Sequence, residues 1–339
     1  MKSIRRSSLG RVALFSIVVS IGLVLAGSQA LAQPEHNLKL ATLAPKGSSW
    51  MKAFERIERD IEKDTGGQVG VQVFAGGVMG DESAMVRKMR TGQLDGAAVT
   101  SVGLGEIDQK LLVLQLPLIF RNHKELDYVR DQMSDTFEGM LSDQGFELMT
   151  WGDVGFNYLF SQTPVETPAD IKRTRPWVWN ADPITKAVME VANVNAVPLG
   201  VPDVLPSLQT GVIDAFPNSP YGAVALQWYT KAKYVTNLRL AVVIGGVVIS
   251  RDCLEELPEE HRGAVEAAFA NHGEDLLSQI RGDNERAIQT IQKAGVQSVE
   301  PKDLEAWKKI AKDAREELSG TLFPEALVDE MMNHLQAAR

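Results

Sequence analysis

The chain is poor in the residues that catalytic and metal sites require. Its 339 residues include one cysteine, Cys253, which cannot form an internal disulfide, and five scattered histidines. No histidine lies at metal-site spacing from another histidine or from the cysteine. The chain has no Gly-x-Ser-x-Gly elbow, no phosphate-binding Gly-Lys-Ser/Thr loop and no dinucleotide-binding glycine pattern. We therefore expect no enzyme, no metal and no cofactor.

Positive charge is also scarce. The chain has 35 basic and 44 acidic residues, and four of the basic ones precede residue 12. An acidic surface repels nucleic acid and anionic lipid headgroups, and no stripe of Lys and Arg interleaved with aromatic residues argues otherwise. Nucleic acid is therefore not an expected partner.

The first 32 residues have the pattern of a secretory signal peptide. Basic residues precede an apolar run at residues 12–26, which at about 15 residues is shorter than the ~20 needed to span a bilayer. Residues 30–32 (Ala-Leu-Ala) suit cleavage after Ala32. The alternative is a retained membrane anchor. We expect a cleaved, periplasmic protein.

Strand and helix patterns alternate after this leader. Residues 38–44, 69–73 and 96–100 have strand patterns; one helix pattern begins at residues 48–49 and another at Asp81. This alternation predicts an α/β fold with a largely parallel sheet.

A short motif occurs twice. Residues 91–97 (TGQLDGA) are echoed by residues 210–216 (TGVIDAF), and each copy lies between a helix pattern and an apolar strand pattern. The second copy also follows a strand pattern at 194–199 and a helix pattern at 202–209. The glycine can end a helix in the left-handed conformation, and the aspartate can bond to nearby backbone. Chance similarity is the alternative, but the repeat favours two similar lobes.

The remaining chain fits a clamp made of these lobes. Residues 145–161 and 238–250 are long extended stretches that suit strands crossing a hinge, and the chain after Pro258 is strongly helical. We assign residues 1–32 to the signal peptide, 33–155 and 250–295 to the first lobe, and 156–249 to the second. Residues 296–339 are expected to form C-terminal helices that pack on the lobes.

Aromatic residues supply the candidates for a binding site. In open α/β sheets, ligands bind beyond the carboxyl ends of the strands, and several aromatic residues fall at predicted strand ends or loops. For each of them core packing is an equal alternative. Trp228 and Tyr229 fall on a predicted helix, where core packing or surface cover is favoured. The pocket candidates are Trp50, Trp151, Phe156, Trp177, Trp179 and Phe216.

Several segments, in order over nearly the whole mature chain, resemble the substrate-binding proteins of tripartite ATP-independent periplasmic (TRAP) transporters. They are residues 40–48 (LATLAPKGS), 92–97 (GQLDGA), 116–120 (LPLIF), 167–172 (TPADIK) and 208–214 (LQTGVID). The resemblance implies a two-lobed periplasmic binding protein of type II-like architecture, with hinge strands and a long bracing helix. It also implies closure around a ligand and delivery to membrane permease subunits.

The chain departs from the family at the positions that bind a carboxylate. Residues 170–178 (DIKRTRPWV) match a segment that usually ends in Ile-Arg-Val, which puts Trp177 where the family has arginine. A second arginine of some members falls near Asn157, and the family often places a polar contact at the position of Asn218. Since an indole cannot replace a bidentate guanidinium, a simple dicarboxylate ligand is disfavoured.

We therefore expect a TRAP-type receptor for a hydrophobic or amphipathic molecule, with Asn157 and Asn218 orienting it. The Trp-Val-Trp segment at 177–179 resembles a subgroup associated with a tetratricopeptide-repeat periplasmic partner. One alternative is an organic anion held by Arg173 or Arg175. Another is a sensor that presents a ligand-dependent surface to a protein partner.

Overall fold

The computed structural model describes residues 34–339. The expected signal peptide and its cleavage after Ala32 lie outside the described residues. No helix in the described range is both long enough and apolar enough to cross a membrane.

Nine strands and thirteen α-helices are described, together with two 3₁₀ segments at Gln109–Gln115 and Trp228–Lys231. The strands are β1 (His36–Thr42), β2 (Val69–Phe74), β3 (Gly96–Thr100), β4 (Phe146–Ser161), β5 (Trp177–Trp179), β6 (Val197–Leu199), β7 (Ala215–Asn218), β8 (Tyr234–Ser250) and β9 (Gln297–Val299). The helices are α1 (Ser49–Asp64), α2 (Glu82–Arg90), α3 (Ser101–Ile107), α4 (His123–Gln132), α5 (Ser134–Asp143), α6 (Pro168–Ile171), α7 (Pro183–Val191), α8 (Val201–Thr210), α9 (Pro220–Ala225), α10 (Arg251–Glu255), α11 (Glu259–Lys293), α12 (Leu304–Leu318) and α13 (Glu325–Ala338).

The main sheet has the strand order β2-β1-β3-β8-β4-β7, with β9 paired to β8, and β5 and β6 form a separate parallel pair. β1 is parallel to β2 and β3, whereas β8 is antiparallel to both β3 and β4. The expected largely parallel sheet is therefore wrong for the main sheet. The reason is that β4 and β8 pass each other in opposite directions at its centre.

β4 and β8 are the two strands that the long extended patterns predicted. One end of the pair continues the sheet of β1, β2 and β3, and the other end pairs with β7 and β9. We call the β1–β3 side the first lobe and the β5–β7 side the second lobe. The two-lobed α/β fold is thus confirmed, while the boundaries between residues 155 and 156 and near residue 249 remain predictions.

The repeated motif forms the same turn in both lobes. Gly92 and Gly211 have φ angles of 68° and 74°, the left-handed region that favours glycine. The Asp95 carboxylate then accepts a hydrogen bond of 2.6 Å from the backbone of Lys39, and the Asp214 carboxylate accepts one of 2.6 Å from the backbone of Arg175. Each aspartate ties its turn to the neighbouring strand segment.

Helix α11 braces both lobes. Its 35 residues span about 52 Å, and it packs against α1 in the first lobe, α9 in the second and β4 between them. α12 packs against α7, and α13 packs against α4.

A buried charge network joins α11 to the crossing strands. Asp153 of β4 is fully buried at a bulge, and its carboxylate accepts hydrogen bonds from Arg281 at 2.7 and 2.9 Å and from Arg130 at 3.3 Å. Both arginines also donate to Asp127. Because a buried carboxylate without a partner is costly, the network holds α11 and α4 against β4.

We expect Arg281→Ala to lower the free energy of unfolding by about 3 kcal/mol, since it leaves the buried Asp153 with Arg130 alone. Arg286→Ala, on the same helix, removes an exposed ion pair with Asp283 and should cost below about 1 kcal/mol. Urea unfolding of the two variants measures the difference. Equal losses would show that the network does not stabilise the hinge region.

Candidate functional site

A cavity of about 150 Å³ lies between the two lobes. The carboxyl ends of strands from both lobes line it: Thr42 of β1, Thr100 of β3, Trp179 of β5 and Asn218 of β7. The crossing strands also contribute lining residues, among them Asn157 of β4. This is where the strand-end argument predicts a ligand.

Aromatic rings form much of the cavity lining. Trp177 packs with its ring centroid 6.1 Å from that of Trp179 and 5.1 Å from that of Trp228, the latter at a right angle. Trp50, at the start of α1, lies on the first-lobe side, where its ring fits over Gly152 so closely that a Cβ there would stand 2.2 Å from Cη2. The cavity therefore has indole surface from both lobes.

Glu82, the first residue of α2, is a buried acid in this lining. Its carboxylate accepts hydrogen bonds from the backbone N–H groups of Thr100 and Gly103 at 2.9 and 2.7 Å, and from the Thr100 hydroxyl at 2.9 Å. It thereby caps the amino end of α3. Burial outweighs these bonds and raises the pKa of the Glu82 carboxyl from 4.5 to about 8.

Asp182 is the second buried acid, contributed by the second lobe. It caps α7 by accepting from the backbone of Ile184 and Thr185, and its other oxygen accepts from the Thr185 hydroxyl and from Gln115. Burial raises the pKa of this carboxyl above its usual range.

A hydrogen bond of 2.7 Å links the lobes beside the cavity. The indole N–H of Trp179 donates to the Asp81 carboxylate at the start of α2. The other Asp81 oxygen is buried and has no partner among the described residues. Burial raises the pKa of this carboxyl as well.

The fold agrees with comparisons to known proteins. The sequence pattern of the bacterial extracellular solute-binding proteins, family 7, matches residues 40–320. The chain belongs to this family. It is thus a solute-binding receptor, as the sequence predicted.

Individual relatives of this family 7 receptor span most of its length. A solute-binding protein of Chromohalobacter salexigens is 28% identical over 259 residues, covering 76% of this chain and 77% of the relative. The C4-dicarboxylate-binding periplasmic protein DctP of Rhodobacter capsulatus is 23% identical over 306 residues, covering 88% and 90%. Among solved structures, the sugar acid binding protein DctPAm of Advenella mimigardefordensis has a TM-score of 0.84 at 17% identity, covering 91% and 99%.

The structure brings five of the eight predicted site residues together in the receptor's cavity. These are Trp50, Asn157, Trp177, Trp179 and Asn218. The side chain of Asn218 accepts from the backbone of Ser219, and the side chain of Asn157 makes no hydrogen bond with any of the described residues. Both residues line the cavity.

The other three predicted residues, Trp151, Phe156 and Phe216, do not line the cavity. Phe156 precedes the lining residue Asn157 on β4, so alternation turns it to the opposite face. Phe216 shares a strand face with the lining residue Asn218 but packs edge-on against Trp228 in the second-lobe core. Phe156 packs beside His123 and Phe216 stacks on Phe160. Trp151 packs edge-on against Phe137 in the core of the first lobe.

The lining residues that the sequence argument missed include Glu82, Asp182, Tyr221 and Trp228. Trp228 was expected in the core or at the surface. It is buried in the core, and it also lines the cavity. The acids had no signal beyond their positions at helix starts, which are ordinary capping sites.

Neither Arg173 nor Arg175 reaches the cavity. Both are exposed, Arg173 paired with Asp170 and Arg175 with Asp214. Among the described residues, none of those lining the cavity is a lysine, arginine or histidine. The arginine-held anion is therefore not supported at this site.

The buried Glu82 gives a prediction for stability against pH. The unfolded chain ionises Glu82 above pH 4.5, whereas the folded protein keeps its proton until about pH 8. The folded state binds more protons between these values, so Glu82 lowers the free energy of unfolding as pH rises from 5 to 8.

The variant Glu82→Gln should lose this decrease of the free energy of unfolding with pH, which amounts to at most about 1.4 kcal/mol per pH unit. Relative to the parent it should therefore become more stable as pH rises. Urea unfolding of both proteins at pH 5, 6, 7 and 8 measures the difference, because the other groups titrate alike in both. Parallel curves would show that Glu82 ionises normally in the fold.

Proposed function

We propose that this family 7 receptor is the periplasmic component of a TRAP-type transporter and binds a hydrophobic or amphipathic small molecule between its lobes. The supporting observation is the lining itself. It combines indole rings of both lobes with buried acids and, among the described residues, has no basic side chain.

The energetics of charge burial favour this ligand over an acid. A carboxylate entering the cavity loses its hydration and needs a cation or several donors in return. Here it meets Glu82 and Asp182, and the neighbouring N–H and O–H groups already donate to the carboxyl oxygens of these two acids. Apolar ligand surface, in contrast, gains about 25 cal/mol for each Å² buried against the indoles.

A sugar acid is the second candidate, because similar structures contain such ligands. TRAP periplasmic solute-binding proteins of Chromohalobacter salexigens and of Sulfitobacter are described with bound D-glucuronate and β-D-galacturonate, at 23% and 20% identity to this chain. At that identity the likeness supports the fold. The choice of ligand then depends on the lining residues.

In the proposed complex, the indoles contact apolar surface and Asn157 and Asn218 orient the ligand's polar groups. Contacts from both lobes select the closed form, from which the ligand passes to the TRAP permease subunits. A tetratricopeptide-repeat partner remains a prediction of the sequence resemblance. A sensor role would require ligand-dependent binding to a sensor domain instead of a permease.

Native purification followed by mass spectrometry tests the ligand class. The protein is purified from periplasm without refolding, and small molecules are released by organic extraction. We expect one apolar or amphipathic compound in near-stoichiometric amount. A co-purifying sugar acid, together with micromolar binding of glucuronate, galacturonate or galactonate in calorimetry, would replace our proposal with the second candidate.

Truncation of Trp177 tests the site. We expect Trp177→Ala to weaken binding of the extracted compound by roughly 1–3 kcal/mol, about 5- to 150-fold in Kd. Trp151→Ala is the matched control, because that indole packs in the first-lobe core away from the cavity. It should reduce stability and leave Kd unchanged. Unchanged affinity in Trp177→Ala would remove Trp177 from the site.

A further inference from the structure

Resting on the proposed function, we infer that the ligand carries a fixed or protonated ammonium group, which lies among the cavity's indoles beside Glu82. The ligand class is then a cationic amphipath or a compact quaternary amine. Three properties of the cavity support this assignment.

The first is the sign of the charge. The ionisable side chains that line the cavity within the described chain are Glu82, Asp182 and Tyr221. Glu82 is 1% exposed and Asp182 is 5% exposed, so solvent screens neither effectively. Asp81, next to Glu82, is another acid. Every ionisable group in the described lining is therefore an acid, and a cation is the ligand charge that these groups stabilise when ionised.

The second is the aromatic surface. Rings of Trp177, Trp179 and Trp228 form one cluster with centroids 5.1 and 6.1 Å apart, so a cation against it can contact more than one ring. A cation within about 6 Å of an indole centroid is attracted by the ring quadrupole, by about 2 kcal/mol when desolvated. An alkylated ammonium group also buries apolar surface, which suits this lining.

The third is the acceptor capacity of Glu82. One of its oxygens takes two hydrogen bonds, but the other takes only the backbone N–H of Thr100. A carboxylate oxygen has room for a further contact in that arrangement. Asp182 has two donors on each oxygen and acts on the ligand only through its charge.

This assignment has a consequence for pH. The groups facing Glu82 are the acid Asp81 on its own helix and the uncharged Thr100 and Gly103 of the opposite elements. Because burial raises the pKa of Glu82 to about 8, a cation must displace its proton at neutral pH. Affinity for a permanent cation should rise by up to about tenfold per pH unit from pH 6 to 8 and level off above.

A pair of probes with the same shape isolates the charge. Choline carries a trimethylammonium group, and 3,3-dimethylbutan-1-ol has carbon in place of the nitrogen. The protein is first unfolded and refolded to remove any bound ligand. Binding of each probe to this ligand-free protein is then measured by calorimetry between pH 6 and 9. We expect choline to bind at least tenfold more tightly than the alcohol at pH 8.5, and only choline to show the pH dependence.

Glu82→Gln provides the variant test, and it should fold because glutamine resembles the protonated acid that the parent contains. At pH 8.5 it should lose about tenfold in choline affinity and the pH dependence, with alcohol binding unchanged. Equal binding of the two probes would overturn the cationic assignment and leave the hydrophobic receptor standing. Absence of choline binding at millimolar concentration also overturns it. Binding of a sugar acid instead would overturn both proposals.

Discussion

The antiparallel pairing of β4 and β8 is the constraint on which the rest of the structure depends. The pair is shared by both lobes, so the position of one lobe against the other is set by strands that also supply cavity residues, including Asn157. Bulges interrupt its register, and one of them holds Asp153, a fully buried charge. Arg281 of the long bracing helix neutralises that charge, so the packing of α11 and the geometry of the crossing strands are coupled.

Sequence patterns predicted the elements better than their assembly. The repeated Thr-Gly turns, the two crossing strands and a cavity at the strand ends were predicted, because each depends on local spacing. The strand pattern at residues 194–199 is shorter in the structure, Val197–Leu199. The choice among aromatic residues depended on their packing in three dimensions and, for Phe156, on its strand face, and periodicity fixes neither across bulges. The part played by Glu82 depends on contacts with Thr100 and Gly103 in another element, and no local pattern encodes them.

The two buried acids occupy the helix ends that could otherwise serve as anion sites. The amino ends of α3 and α7 lie at the cavity lining, and helix amino ends usually attract anions. Glu82 and Asp182 occupy these ends, so the protein's own carboxylates take the place that a ligand carboxylate would need. The same bonds fix the acids in position beside the indoles of both lobes.

The late position of β8 in the chain governs the order in which the protein can fold. Gly96 of β3 pairs with Ile249, so the first-lobe sheet keeps an open edge until most of the chain has been synthesised. Pairings between such distant residues form slowly, since a long loop must close before they contribute. A newly made chain therefore stays unfolded for longer, which suits the periplasmic location of the family. A fragment that ends before residue 245 lacks every β8 residue that pairs with β3, so it is expected to expose the β3 edge and to aggregate.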